Sequence, residues 1–133
     1  MSHPFSLDLS ERGDIIVLQL SGYLDAHTAP EFEAAVQEQI ESGKVRLVAD
    51  AGPLSYISSA GLGVFMGFVE ELRDLGGDIK IAALEPKVAQ VFELLGFQDL
   101  FDIVENVETA VQRFQEAPSA ATESASSSSG ALG

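Results

Sequence analysis

No cysteine occurs in the 133 residues. That excludes a disulfide framework, a thiolate nucleophile and any sulfur ligand for a metal. It also removes one reason to suppose an oxidising compartment. Histidine is nearly as scarce: His3 and His27 lie far apart, without the spacing of a metal site. Basic residues number seven against 21 acidic ones, for a net charge of −14. Such a field repels nucleic acid backbones and anionic lipid surfaces and favours a basic patch on a protein partner. No apolar run is long enough to span a membrane, and Met1-Ser2-His3-Pro4 lacks the basic-then-apolar start of a secretory signal. The expectation is a cytoplasmic protein without direct membrane insertion. Two missing motifs narrow the chemistry. There is no Gly-x-x-x-x-Gly-Lys-Ser/Thr phosphate loop. Around Ser59, the run Ile57-Ser58-Ser59-Ala60-Gly61 lacks the first glycine of a hydrolase nucleophile elbow. Asp25 and His27 are also too close in sequence to serve that serine comfortably as an Asp–His pair. A small serine hydrolase is therefore a weak reading.

What is present is an alternation of strand and helix patterns, with 46% hydrophobic residues and a length suited to one domain. Phe5-Leu7-Leu9 alternates with polar residues, Arg12-Gly13-Asp14 signals a turn, and Ile15 to Leu20 reads as a second strand closed by Gly22. Thr28 and Glu31 have capping-box spacing, with Pro30 in the first helical turn. Phe32, Val36 and Ile40, with Ala35 beside them, form one apolar stripe that ends at Gly43. Val45 to Asp50 is a short buried strand, and Ala51 to Ser58 reads as a loop broken by Gly52-Pro53. A second helix carries Leu62, Phe65, Met66, Val69, Leu72 and Leu75 on its apolar face. Ile79 to Ala83 is the next strand, and Pro86 opens a helix with Val88, Val91, Phe92 and Leu95 inward. A short strand within Leu100–Val104 and a last helix capped by Asn106, with Val107, Ala110, Val111 and Phe114 on one face, complete the pattern. From Glu116 the composition shifts to serine and alanine without periodicity, so residues 116–133 are expected to be a disordered tail.

Crossovers of this length imply parallel pairing of the central strands. In such sheets the loops leaving strand C-termini share an edge. Asp25-Ala26-His27-Thr28 follows one strand and Ser58-Ser59 follows the next, so the two loops are expected side by side. Serines at a helix start can cap its unpaired N–H groups, and the positive end of the helix dipole also tolerates a phosphate there. This makes the Ser58–Gly63 segment a candidate switch.

At these residues the chain resembles the STAS domain, the fold of bacterial anti-sigma factor antagonists. Ser21-Gly22-Tyr23-Leu24-Asp25 is similar to the family's Gly-x-Leu-Asp segment, and Tyr56 to Gly63 resembles its Asp-Ser-Ser/Thr-Gly-Leu-Gly switch loop. The resemblance runs from about Phe5 to Phe114, within a domain expected over residues 1–115, and implies an α/β domain with a mixed, mostly parallel sheet of four to five strands and about four helices. It implies a regulatory protein, not an enzyme, with no cofactor of its own. Its partner would be an ATP-binding serine kinase that is itself the anti-sigma factor. The unphosphorylated protein binds that kinase and frees the sigma factor; phosphorylation ends the association and a phosphoserine phosphatase resets it. Mapped by position, the phosphorylated serine falls on Ser59. The preceding aspartate of the family is Ser58 here, and the following serine or threonine is Ala60. The expected docking face comprises Asp25, His27, Thr28, Ser58, Ala60, Gly61, Leu62 and Gly63. The alternative within the same fold is a STAS module of a stress-signalling scaffold or a transporter-associated complex.

Overall fold

Alternating side chains set the first hairpin. The computed structural model describes residues 4–116. In it β1 (Phe5–Arg12) pairs antiparallel with β2 (Ile15–Leu24) across the turn at Gly13-Asp14. Phe5 and Leu7 point to one side with Leu20, whereas Asp8 and Arg12 point to the other with Gln19 and Ile15. Gly22 does not close β2 as expected. It lies inside the strand at φ +86°, at the register shift between β2 and its neighbour, where a Cβ would strike the Pro4 carbonyl. A bulge of this kind bends the strand and re-aims the chain beyond it, here the loop at Asp25.

The remaining elements in order are α1 (Ala29–Glu41), β3 (Arg46–Asp50), β4 (Leu54–Ile57), α2 (Ser59–Asp74), β5 (Asp78–Ala82), α3 (Pro86–Leu94), a 3₁₀ turn (Phe97–Asp99), β6 (Ile103–Val104) and α4 (Val107–Glu116). The sheet runs β1-β2-β3-β5-β6; among the described strands β1 and β2 pair antiparallel and the other pairs are parallel. The sheet has six strands, one more than the upper expectation, because part of the expected Ala51–Ser58 loop is β4. β3 pairs with the first half of β2, and β4 then pairs parallel with its last residues, Gly22–Leu24. The kink between them is fixed by Asp50, whose carboxylate accepts from the Gly52 N–H at 3.0 Å and the Gln19 amide at 3.2 Å.

Three helices cover one face of the sheet. Phe32 and Val36 of α1, Leu62, Phe65, Val69 and Leu72 of α2, and Val88 and Phe92 of α3 share one core with Leu18, Leu20, Leu24, Leu47 and Ile81. Phe65 is its hub, with ring centroids 5.0 Å from Phe32, 5.9 Å from Phe92 and 6.0 Å from Phe101. The expected faces need two corrections. On α2, Met66 and Leu75 are 45% and 53% exposed, while Val64 and Phe68 are buried. The helix packs on α1 as well as on the sheet, which widens and rotates its buried arc beyond a single stripe. Leu95 lies just past the end of α3 and is exposed, not inward.

Among the described residues α4 alone covers the other face, setting Ala110, Val111 and Phe114 on Ile15, Val17, Val48 and Val104. Asn106 caps it as expected, accepting from the Thr109 N–H at 2.8 Å. Buried Lys80 sits between Asp78 and Asp102, with its ammonium 4.5 Å from the Phe114 ring centroid. The expected tail, apart from Glu116 at the end of α4, lies outside the described residues.

Candidate functional site

The loop from β2 to α1 is held by a reciprocal pair of polar side chains. Asp25 Oδ1 accepts from the backbone N–H of His27 at 3.0 Å and of Thr28 at 3.2 Å. Thr28 Oγ1 accepts from the Asp25 N–H at 2.9 Å and donates to the Tyr23 carbonyl at 2.8 Å. This replaces the expected capping box: Thr28 has helical backbone angles, and its hydroxyl makes no cap bond because the loop has claimed it. Partial burial pushes the Asp25 carboxyl up. The N–H groups of His27 and Thr28, the Thr28 hydroxyl and the charge of His27 outweigh that and hold it below the usual aspartate value. A lowered carboxyl stabilises the fold above its unfolded pKa, and that contribution disappears as pH falls through the folded value. Asp25→Asn is therefore expected to flatten the acid limb of stability. Urea melts of both proteins from pH 7 to pH 3 should converge on acidification, and a constant difference would contradict this.

The second loop is short because β4 feeds straight into α2. The Ser58 N–H donates to the Leu24 carbonyl at 2.9 Å, so the start of α2 is tied to the residue just before Asp25. Gly61 makes that closeness possible. A Cβ there would lie 2.8 Å from Leu24 Cγ, 2.9 Å from Ile57 Cγ1 and 3.0 Å from the Leu24 oxygen. The two loops are thus neighbours, as strand topology requires. Gly63 and Gly67, by contrast, face open space. With Ala60, Val64 and Phe68 they line a groove of about 390 Å³ whose other wall is Ala26, Ala29, Pro30 and Glu33. The sequence expectation did not extend to this groove; the Gly63-x-x-x-Gly67 spacing is its signal.

The two serines at the helix start differ sharply. Ser59 is exposed in the first turn of α2, which carries no acidic side chain. Ser58 occupies the N-cap position with extended backbone angles, φ −100° and ψ 176°, yet its side chain makes no cap bond. Its Oγ is buried without a partner. Neither hydroxyl therefore caps the helix, contrary to the capping role available to Ser59. Among the other expected docking residues, His27 and Gly63 are exposed, Asp25, Thr28 and Ala60 are half-buried, and Gly61 and Leu62 are buried. The last two shape the surface and are not presented on it. Tyr56, 45% exposed just before the switch loop, stacks on Tyr23 with centroids 5.3 Å apart, an aromatic pair the sequence expectation did not include.

Losing a normal N-cap serine costs about 1 kcal/mol. Here the hydroxyl caps nothing, and an unsatisfied buried hydroxyl is itself unfavourable by about 1–3 kcal/mol. Ser58→Ala is therefore expected to be neutral or stabilising by up to about 1 kcal/mol in urea unfolding. A loss of about 1 kcal/mol would show that the hydroxyl caps the helix in solution.

No group of His, Asp and Glu among the described residues could hold a metal ion, and no helix among them is long and apolar enough to cross a membrane. The STAS domain family model matches residues 6–110. The chain is 33% identical to BtrV of Bordetella bronchiseptica over 111 residues, 84% of this chain and 96% of that one. It is 35% identical to the anti-sigma-B factor antagonist of Listeria monocytogenes over 105 residues, 77% of this chain and 90% of that one. Among solved structures, the anti-sigma factor antagonist SpoIIAA in its unphosphorylated form superposes with a TM-score of 0.72 at 25% identity, covering 86% of this chain and 99% of that one. The phosphorylated form of SpoIIAA, a Bacillus cell fate determinant, superposes with a TM-score of 0.64 at the same identity, covering 83% and 98%. By its residues, its sheet order and these likenesses, the chain belongs to the STAS domain family.

Proposed function

We propose that this protein is an anti-sigma factor antagonist whose association with an ATP-binding serine kinase, itself the anti-sigma factor, is controlled by phosphate on Ser59. The carrying observation is the contrast between the serines: Ser59 offers an exposed hydroxyl at the mouth of α2, whereas the Ser58 hydroxyl is buried. Relatives named as anti-sigma factor antagonists, and a structural neighbour that exists in both unphosphorylated and phosphorylated forms, support the reading.

In the transfer, Ser59 Oγ attacks the γ-phosphorus of the kinase's ATP. The bond to the β-phosphate oxygen breaks, ADP leaves, and the hydroxyl proton passes to a base on the kinase. This protein supplies the hydroxyl and its positioning; the partner supplies nucleotide and catalysis. The Asp25–Thr28 loop, Ala60, Gly63 and the groove beside them form the docking face. The acidic surface, −12 over residues 1–115 from seven basic and 19 acidic side chains, suits a basic partner patch. The cytoplasm, where such a kinase finds ATP, is the proposed location. A phosphoserine phosphatase would restore the binding form.

Incubation with the cognate kinase and ATP should add one phosphate to the protein, read by intact mass. Ser59→Ala should take up none. Undiminished uptake by that variant would overturn the site assignment.

A further inference from the structure

We infer that the buried hydroxyl of Ser58 is the internal hydrogen-bond donor for a phosphate carried on Ser59. The inference rests on the phosphorylation reading above and deepens it. Two independent observations meet at the same point. The first is the mouth of α2, with its unpaired N–H groups and no carboxylate in its first turn. The second is Ser58 Oγ, buried and without a partner although its backbone already has the angles of a capping residue. Buried hydroxyls in folded proteins nearly always have a partner, so one without calls for an explanation. One staggered rotation about its χ1 redirects Oγ without moving the backbone.

The surroundings favour this use. The carboxylate of the adjoining loop, Asp25, is already engaged by the N–H groups of His27 and Thr28. The other titratable groups close by are His27 on the same loop, Glu33 across the groove and Tyr56 at the end of β4. A phosphate on exposed Ser59 gains the helix N–H groups and, from Ser58, a charge-assisted donor. An aspartate in place of Ser58 would instead set a negative charge beside the dianion. Serine at this position thus makes the phosphorylated state more comfortable within the protein itself and leaves the partner to bear the cost of meeting it.

The test installs phosphoserine at position 59 during translation, so that it needs no kinase, and follows the phosphate by ³¹P NMR titration. A phosphoserine monoester ordinarily loses its second proton near pH 6. The Ser58 protein should titrate lower than its Ser58→Ala counterpart by about 0.5–1 unit, a three- to tenfold difference in proton affinity. Ser58→Thr, which keeps the hydroxyl, should titrate with the parent, and Ser58→Asp should titrate higher than Ser58→Ala. Equal titration of the Ser58 and Ser58→Ala phosphoproteins would overturn the inference. As a second measurement on the unaltered sequence, the Ser58 χ1 couplings should change between unphosphorylated and phosphorylated protein; an unchanged rotamer would also overturn it. If the kinase leaves Ser59 unmodified, the proposed function fails while the titration still reads the Ser58 contact, so the two failures are distinct.

Discussion

Phe65→Ala should cost about 3–5 kcal/mol of folding stability, the range for removing a fully buried aromatic. Phe65 is 1% exposed and meets rings from α1, α3 and the segment after the 3₁₀ turn. Its removal forfeits the transfer energy of the ring, leaves a cavity that three separate elements cannot close together, and breaks edge contacts worth about 0.5–1.5 kcal/mol each. A domain of this size has about 5–15 kcal/mol in total. The variant is expected to lose roughly a fifth or more of its stability against urea, with an unchanged m-value if two-state unfolding persists. It also bears on the proposed switch, because Phe65 packs the helix that begins at Ser59 into the core. A loss below about 1 kcal/mol would mean that the aromatic hub is not the keystone of the core.

Phosphate on Ser59 should weaken the kinase complex by roughly a thousandfold, about 4 kcal/mol. The modification adds about −1.5 to −2 charges at pH 7. In the proposed switch the helix terminus offsets that charge within this protein. A partner packed flat over the loop must strip water from a dianion that its surface, shaped for a small hydroxyl, does not match with donors. The penalty falls on association and leaves the fold intact, because exposed Ser59 contributes nothing to the core. Ser59→Asp should reproduce only part of the effect: it carries one charge and two acceptor oxygens on a shorter side chain.

The architecture was legible where periodicity was long. The Phe32–Val36 repeat and the Val88–Phe92 pair predicted buried faces that α1 and α3 present to the core. Strand order alone places the Asp25 and Ser58 loops together, because parallel crossovers leave little freedom. Four-residue β4 was hidden because Gly52-Pro53 reads as a loop, and because its pairing lies on the end of β2 that β3 leaves vacant. The packing of α2 on both the sheet and α1 exposed Met66 and buried Val64 and Phe68, a tertiary choice that one helix's pattern cannot express. Thr28 and Glu31 keep the spacing of a capping box, yet the Asp25–Thr28 exchange captured the hydroxyl first. At the site, sequence placed the two loops side by side and assigned different roles to Ser58 and Ser59, but not the burial of the Ser58 hydroxyl without a partner. Whether a hydroxyl at a helix start is buried depends on its side-chain rotamer and local packing, and composition carries neither.

In the proposed switch, one charge-bearing group on Ser59 controls association without altering the fold. Its most direct test is calorimetric titration of the cognate kinase with two otherwise identical proteins, one bearing serine and the other phosphoserine at position 59, with the amide NMR spectrum of each recorded alongside. The expected result is a roughly thousandfold weaker dissociation constant for the phosphoprotein, with spectral changes confined to the first turn of α2 and the Asp25 loop. Equal affinities, or a spectrum changed throughout the sheet, would contradict it.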